Sequence, residues 1–332
     1  MSPKGRPEGE HRSAQREGMA FDPKGRPEGE HRSAQREGMA FDPKGRPEGE
    51  HRSAQREGRR ASAARHLSAA ACMVAAVACV GAAAQSPRAA GPEPVPAPPP
   101  GAIAFTPPDP AAIPDSPLGT MIRFGRDVFT DTQRYAKPYV GNGLNCVNCH
   151  LDAGRQANSA PLWAAYVAYP AFMTKNRQVD TFEHRLEMCF RFSMNGRMPP
   201  ADSAVVVGLV SYAYWLATGA PVGAQLAGRG YRPVAEPALA PDAQRGAGVF
   251  REHCAACHGS AGQGVKSGGS YAFPPLWGRD AYNAGAGMYR VPTAAAFIKA
   301  NMPLGQGGTL TDQQAWDVAA YVNAQPRPKA PR

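Results

Sequence analysis

The sequence has no run of five or six like charges, and only one apolar stretch, Leu67–Ala84, is long enough for a bilayer. The first absence argues against a nucleic-acid footprint, which needs clustered Lys and Arg. The second excludes a multi-span membrane protein. Material for long helices is also scarce. Gly (36) and Pro (34) make up about one in five of the 332 residues, so short elements joined by loops are expected. What the chain does have is 43% apolar against 19% charged residues. That is enough to bury a core and too apolar for a wholly disordered chain, and the length suits two ordinary domains. The net charge of +10 divides into +4 over residues 1–84 and +6 over 85–332. The second figure describes a mild positive field, which favours small anions or an acidic protein partner.

Residues 1–58 repeat with a period of 20: Pro3–Gly18, Pro23–Gly38 and Pro43–Gly58 are identical. Each copy offers many charges and almost no apolar surface, so a stacked solenoid is not expected and the segment reads as disordered or outside the working protein. Residues 59–84 read as a signal peptide, with Arg59, Arg60 and Arg65 before the apolar stretch and Ala82-Ala83-Ala84 as the cleavage site. Signal peptides rarely carry sixty residues upstream, which places the functional start after the repeats. Residues 85–117 are a Pro-rich linker. The expectation is export to the periplasm.

Five cysteines lie beyond the signal segment, and four of them form Cys146-Val-Asn-Cys149-His150 and Cys254-Ala-Ala-Cys257-His258. Cys-x-x-Cys-His is the attachment pattern for c-type haem. Two thiols one helical turn apart reach the porphyrin vinyl groups, and the following imidazole reaches the iron. A zinc site would need four ligands per metal, and the other histidines are not suitably spaced. A thioredoxin-like dithiol would need a strand–helix setting that is missing. Each motif also lies between helical segments. Leu118–Phe129 leads into the first, and Asp202 is the expected cap of an apolar helix ending near Trp215. Ala243–Phe250 precedes the second, and Thr311-Asp-Gln-Gln314 is a capping box for a helix through Asn323. Gly246 would let this terminal helix approach the earlier one. The expected fold is all-α, with two tandem class I cytochrome c domains, 118–222 and 241–332, joined by a linker at 223–240. Each would carry one covalent haem c.

The second axial ligand of each iron separates a carrier from a catalyst. For the second haem, Met302 in Met302-Pro303 is favoured over Met288 and Lys299. For the first, three residues compete: Met198, His184 and the unpaired Cys189. A thiolate needs cations nearby to persist. Asp180 and Glu183 read as N-cap and N3 of a helix that carries Arg185 and Cys189 on one face, with Ser193 continuing that face. Arg177, Arg191 and Arg197 are close in sequence.

These residues resemble a known family, the periplasmic dihaem cytochrome c thiosulfate dehydrogenases, which join two thiosulfates into tetrathionate. The resemblance spans about residues 118–325. It rests on Tyr139-Val-Gly-Asn-Gly-Leu-Asn145, Leu151-Asp-Ala-Gly154, Cys189-Phe-Arg-Phe-Ser-Met-Asn-Gly196, Pro274-Pro-Leu-Trp-Gly278, Tyr282-Asn-Ala-Gly-Ala-Gly-Met288 and Asn301-Met-Pro-Leu-Gly305. The resemblance implies that Cys189 is the distal thiolate of a catalytic first haem, with the second haem as electron exit to a cytochrome acceptor. It also implies that Arg185, Ser193 and Arg177 contact the substrate. Some members place Lys before the distal Met and exchange ligands; here that residue is Asn301, so plain His258/Met302 ligation is expected. Two alternatives stay open: a non-enzymatic dihaem carrier, and a sulfur-oxidising cytochrome that acts on a carrier protein.

Overall fold

Glycines set the two helix crossings that organise the molecule. Helix α1 (Pro117–Thr130) starts at Ser116, whose Oγ accepts from Gly119 N, and Pro117 stands in its first turn. It crosses α3 (Ala204–Leu216) so closely that a Cβ on Gly125 would lie 1.9 Å from Gly208 O. Helix α4 (Ala243–His253), capped by Asp242, crosses α6 (Asp312–Ala324) in the same manner. Here a Cβ on Gly246 would lie 2.0 Å from Asp317 O. The expected capping box is in place: Thr311 Oγ1 accepts from Gln314 N, and Gln314 Oε1 accepts from Thr311 N. Asp317 is buried there and accepts from Arg245 Nε and Nη2 and from Asp242 N, each at 2.8 Å.

The computed structural model describes residue 95 and residues 97–173 and 177–331. The repeats at 1–58, the signal segment at 59–84 and the start of the Pro-rich linker therefore lie outside the described residues. Everything described falls within one structural unit, Gly81–Arg332. The first core gathers on α1 and α3 around Ile122, Phe129, Trp163, Leu209 and Tyr212. Two further clusters form on α4, α6 and α5 (Val291–Asn301), with Ala295 and Trp316 in one and Phe250 and Val318 in the other. A fourth cluster of Leu144, Met194, Tyr282 and Ala286 joins the two halves. Among the described residues, no helix is long and apolar enough to cross a membrane.

Three expectations need correction. The fold is not purely helical, because two β-hairpins are present. Strand β1 (Ala171–Met173) pairs with β2 (Gln178–Asp180), and β3 (Val265–Ser267) with β4 (Ser270–Phe273). Gly268 and Gly269, both at positive φ, turn the second hairpin, a Gly-Gly signal readable in the sequence. The cap of α3 is Ser203, not Asp202, and the cap of α2 (Phe182–Met188) is Thr181, not Asp180. Asp180 is instead the last residue of β2 and pairs with His184 Nδ1 at 2.9 Å.

The two linkers are extended but fastened down. Ile103 bridges to Leu226, Phe105 lies 5.4 Å from Trp163, and Arg155 donates to the carbonyls of Pro107 and Pro108. In the second linker, Leu226 enters the first core, Val234 enters the second, and Ala235 O accepts from Trp316 Nε1.

The α4–α6 crossing makes a clear contrast testable. Gly246→Ala should destabilise by about 1–3 kcal/mol through overpacking. Gly248→Ala has space and gains helix propensity, so it should be neutral or stabilising by up to about 1 kcal/mol. Thermal or denaturant unfolding of the two variants checks this.

Candidate active site

The first Cys-x-x-Cys-His motif begins at a 3-10 turn, Cys146–Asn148. Thr132, fully buried at the start of the short helix Thr132–Tyr135, accepts from Cys146 N and donates to Cys146 Sγ at 3.4 Å. His150 Nδ1 lies 2.7 Å from Ala160 O, which fixes the ring and leaves Nε2 for a metal. The cavity beside the motif, about 140 Å³, is lined by Cys146, Cys149, His150, Arg185, Cys189 and Ser193, among others.

Cys189 and Ser193 both line this cavity, from a stretch that leaves the α-helical pattern after α2. Cys189–Ser193 forms a π-helical turn, closed by Met194 N donating to Cys189 O at 3.0 Å. The turn is then tied down from both sides. Asn142 Nδ2 donates to Ser193 O, Gly141 N to Met194 O, and Asn283 Nδ2 to Arg191 O. Asn195 Nδ2 in turn donates to Ala281 O.

The electrostatics of the cavity thiols diverge. Burial pushes Cys146 up to about 11 and Cys149 up to about 12. Burial also acts on Cys189, but the Arg185 guanidinium and the hydrogen-bonding His150 imidazole outweigh it, and this thiol falls to about 7. The guanidinium responds in kind, its pKa raised chiefly by the Cys189 charge. A buried thiol whose pKa is lowered by a guanidinium and an imidazole is thus what the first cavity presents.

The second cavity is larger, about 400 Å³, and is lined by Cys254, Cys257, His258, Met288, Phe297 and Met302, among others. His258 Nδ1 lies 2.9 Å from Pro274 O, and burial holds this imidazole below its usual value, in the neutral ligand form. The donor set at each cavity fits a covalent haem c: a thiol pair, a hydrogen-bonded imidazole and a further sulfur, Cys189 or Met302, in the lining. Leu144, Cys149 and Met288 line both cavities.

Comparison with known proteins follows the same lines. Residues 241–322 match the family described as cytochrome c oxidase, cbb3-type, subunit III. The chain is 54% identical to the thiosulfate dehydrogenase of Stutzerimonas stutzeri (strain A1501) over 70% of its own length and 76% of the relative's. It is equally identical to that of Thiomonas intermedia (strain K12), over 69% and 73%. The chain belongs to the thiosulfate dehydrogenase family. A solved structure of thiosulfate dehydrogenase (TsdBA) from Marichromatium purpuratum, as isolated, matches with a TM-score of 0.66 and 50% identity. That match covers 69% of this chain and half of the other. The protein is accordingly a haem c oxidoreductase of the cytochrome c type.

Within this family frame, the structure sorts the candidate ligands by place. Cys189 lines the first cavity and Met302 the second. His184 is engaged by Asp180, and Met198 packs against the first core, outside the cavity lining. Lys299 is fully buried, and its Nζ meets Leu310 O at 2.7 Å and Asp312 Oδ1 at 2.9 Å. Asn301, next to Met302, is tied to the first half: it accepts from Gln156 Nε2 and donates to Asn158 O. Arg185 and Ser193 meet in the first cavity. Arg177 is exposed in the β1–β2 turn and does not line it. Sequence reasoning missed Thr132, Met194, Tyr169 and Tyr231. The last three line the first cavity; Met194 lies within the Cys189–Gly196 segment without being singled out, and no local pattern marks the two tyrosines.

Lys299 offers a test of ligand choice. Lys299→Met should leave the optical spectrum of the haem-loaded protein unchanged. It should also lower stability by about 2 kcal/mol, less than a fully buried pair costs because Asp312 keeps water contact. A changed spectrum would make Lys299 a ligand.

Proposed function

We propose that this protein oxidises thiosulfate to tetrathionate: two S₂O₃²⁻ ions are joined sulfur to sulfur, and two electrons leave for a cytochrome acceptor in the periplasm. The observation that carries the reading is the first cavity, where the first motif's thiols and imidazole share walls with a Cys189 thiol lowered to about 7 beside Arg185. Two haem c are implied, one held by Cys146, Cys149 and His150 with Cys189, the other by Cys254, Cys257 and His258 with Met302; when bound, each supplies a one-electron acceptor. In this reading 118–222 is the catalytic domain and 241–332 the electron-exit domain.

The chain's own task is to bring two dianions together. Even unit charges ~4 Å apart repel by ~4 kcal/mol at an effective dielectric of 20. Arg185, fixed in the pocket before substrate arrives, offsets part of this without reorganising. Ser193 adds a hydroxyl donor on the same wall. Arg177 acts only through long-range attraction, which salt screens beyond ~8 Å. The same arrangement serves tetrathionate reduction, the haem potentials setting the direction. A pure carrier would place Met198 on the first iron, and Met198's position outside the cavity speaks against it.

Cys189→Ala should keep both haems covalently attached yet abolish tetrathionate formation with an artificial one-electron acceptor. Low-temperature electron paramagnetic resonance should lose the thiolate-ligated signal at the same time. Turnover retained in this variant would refute the reading.

A further inference from the structure

The first cavity contains two phenols that neither haem attachment nor the Cys189 turn requires. Tyr169 follows the short helix Leu162–Tyr166, and Tyr231 comes from the connector at 223–240; both line the cavity that Arg185, Cys189 and Ser193 share. Their rings are braced. Tyr169 lies 6.3 Å from Phe182, and Tyr231 meets Phe297 of α5 edge-on at 5.8 Å. Their hydroxyls are barely committed. Among the described residues, Tyr231 Oη reaches only Cys149 O, at 3.5 Å, the outer limit of a hydrogen bond, and Tyr169 Oη has no hydrogen-bond partner.

Charge explains why such donors are needed. Among its lining residues the cavity offers one guanidinium, Arg185, to a reaction that brings two dianions together. Neutral donors can hold the anion's oxygens without adding a cation that would bind both reactant and product ions tightly. A phenol is protonated at neutral pH, so both are donors and not anions.

We propose that Tyr169 and Tyr231 contact the substrate, donating hydrogen bonds to the sulfonate oxygens of thiosulfate and so leaving its terminal sulfur free for the new S–S bond. The proposal rests on the thiosulfate reading above. It also makes the connector part of the substrate site: Tyr231 completes the pocket and is itself braced by Phe297 from the second half.

The test uses Tyr169→Phe and Tyr231→Phe in the full-length, haem-loaded protein, since phenylalanine keeps each ring contact. Each variant should raise KM for thiosulfate about tenfold with kcat nearly unchanged, the signature of a lost hydrogen bond to a charged ligand. Equilibrium dialysis of thiosulfate against the fully reduced protein should show the same loss of affinity. Optical and paramagnetic spectra should match the wild type. KM and affinity within twofold of wild type in both variants would overturn the proposal. So would a fall in kcat with altered spectra, which would assign the phenols to holding the haem instead. If wild-type protein neither binds nor oxidises thiosulfate, the thiosulfate reading itself fails, and the proposal with it.

Discussion

A π-helical turn breaks the regular hydrogen-bond ladder of a helix, so the run from Cys189 to Asn195 must find partners elsewhere. Asparagine amides supply much of what is needed. Asn142 reaches Ser193 from the stretch before the first motif, and Asn283 reaches Arg191 from the second half. Asn142 and Asn195 both donate to Ala281 O. The turn is therefore positioned by side chains drawn from both halves. Loosen that clamp and the sulfur, the Ser193 hydroxyl and the cavity wall all lose their coordinates, because each hangs from this one stretch of backbone. Buried polar groups of this kind stabilise only when paired, and Asn195 Oδ1 is left buried without a partner among the described residues, which makes the clamp sensitive to change.

The four most informative sulfurs show how little burial alone decides. Cys146, Cys149 and Cys254 are desolvated and their thiols rise. Cys189 is desolvated as well and falls. What separates them is the Arg185 guanidinium, four residues earlier on α2, together with the His150 imidazole. Their effect is strong because the surrounding protein screens it poorly. Chemistry at the site thus follows from an i, i+4 spacing together with the apolar shell that keeps water out.

Much of this was legible in the sequence where covalent or short-range rules apply. Haem attachment dictates the Cys-x-x-Cys-His spacing, the Thr311–Gln314 box closes within four residues, and Gly246 announces a close crossing. Choices between adjacent residues were not legible. Asp180 and Thr181 are both good caps, and only the pairing of Asp180 with His184 at the end of β2 leaves the cap to Thr181. Asp202 and Ser203 pose the same ambiguity. Tyr231 was hidden for another reason: it lies more than forty residues from Cys189 along the chain, and only tertiary packing brings the two together. The second hairpin was written in Gly268-Gly269, but its short exposed strands carry too little apolar alternation to stand out.

The two cavities share Leu144, Cys149 and Met288 as a common wall, and Asn301 is tied across to Gln156 and Asn158. Each half therefore lends the other part of its lining. Such a molecule is not modular in the manner of beads on a string. Cutting it at the connector would expose an unfinished apolar surface on both fragments, and grafting either half onto a foreign cytochrome would require a partner that rebuilds the missing side.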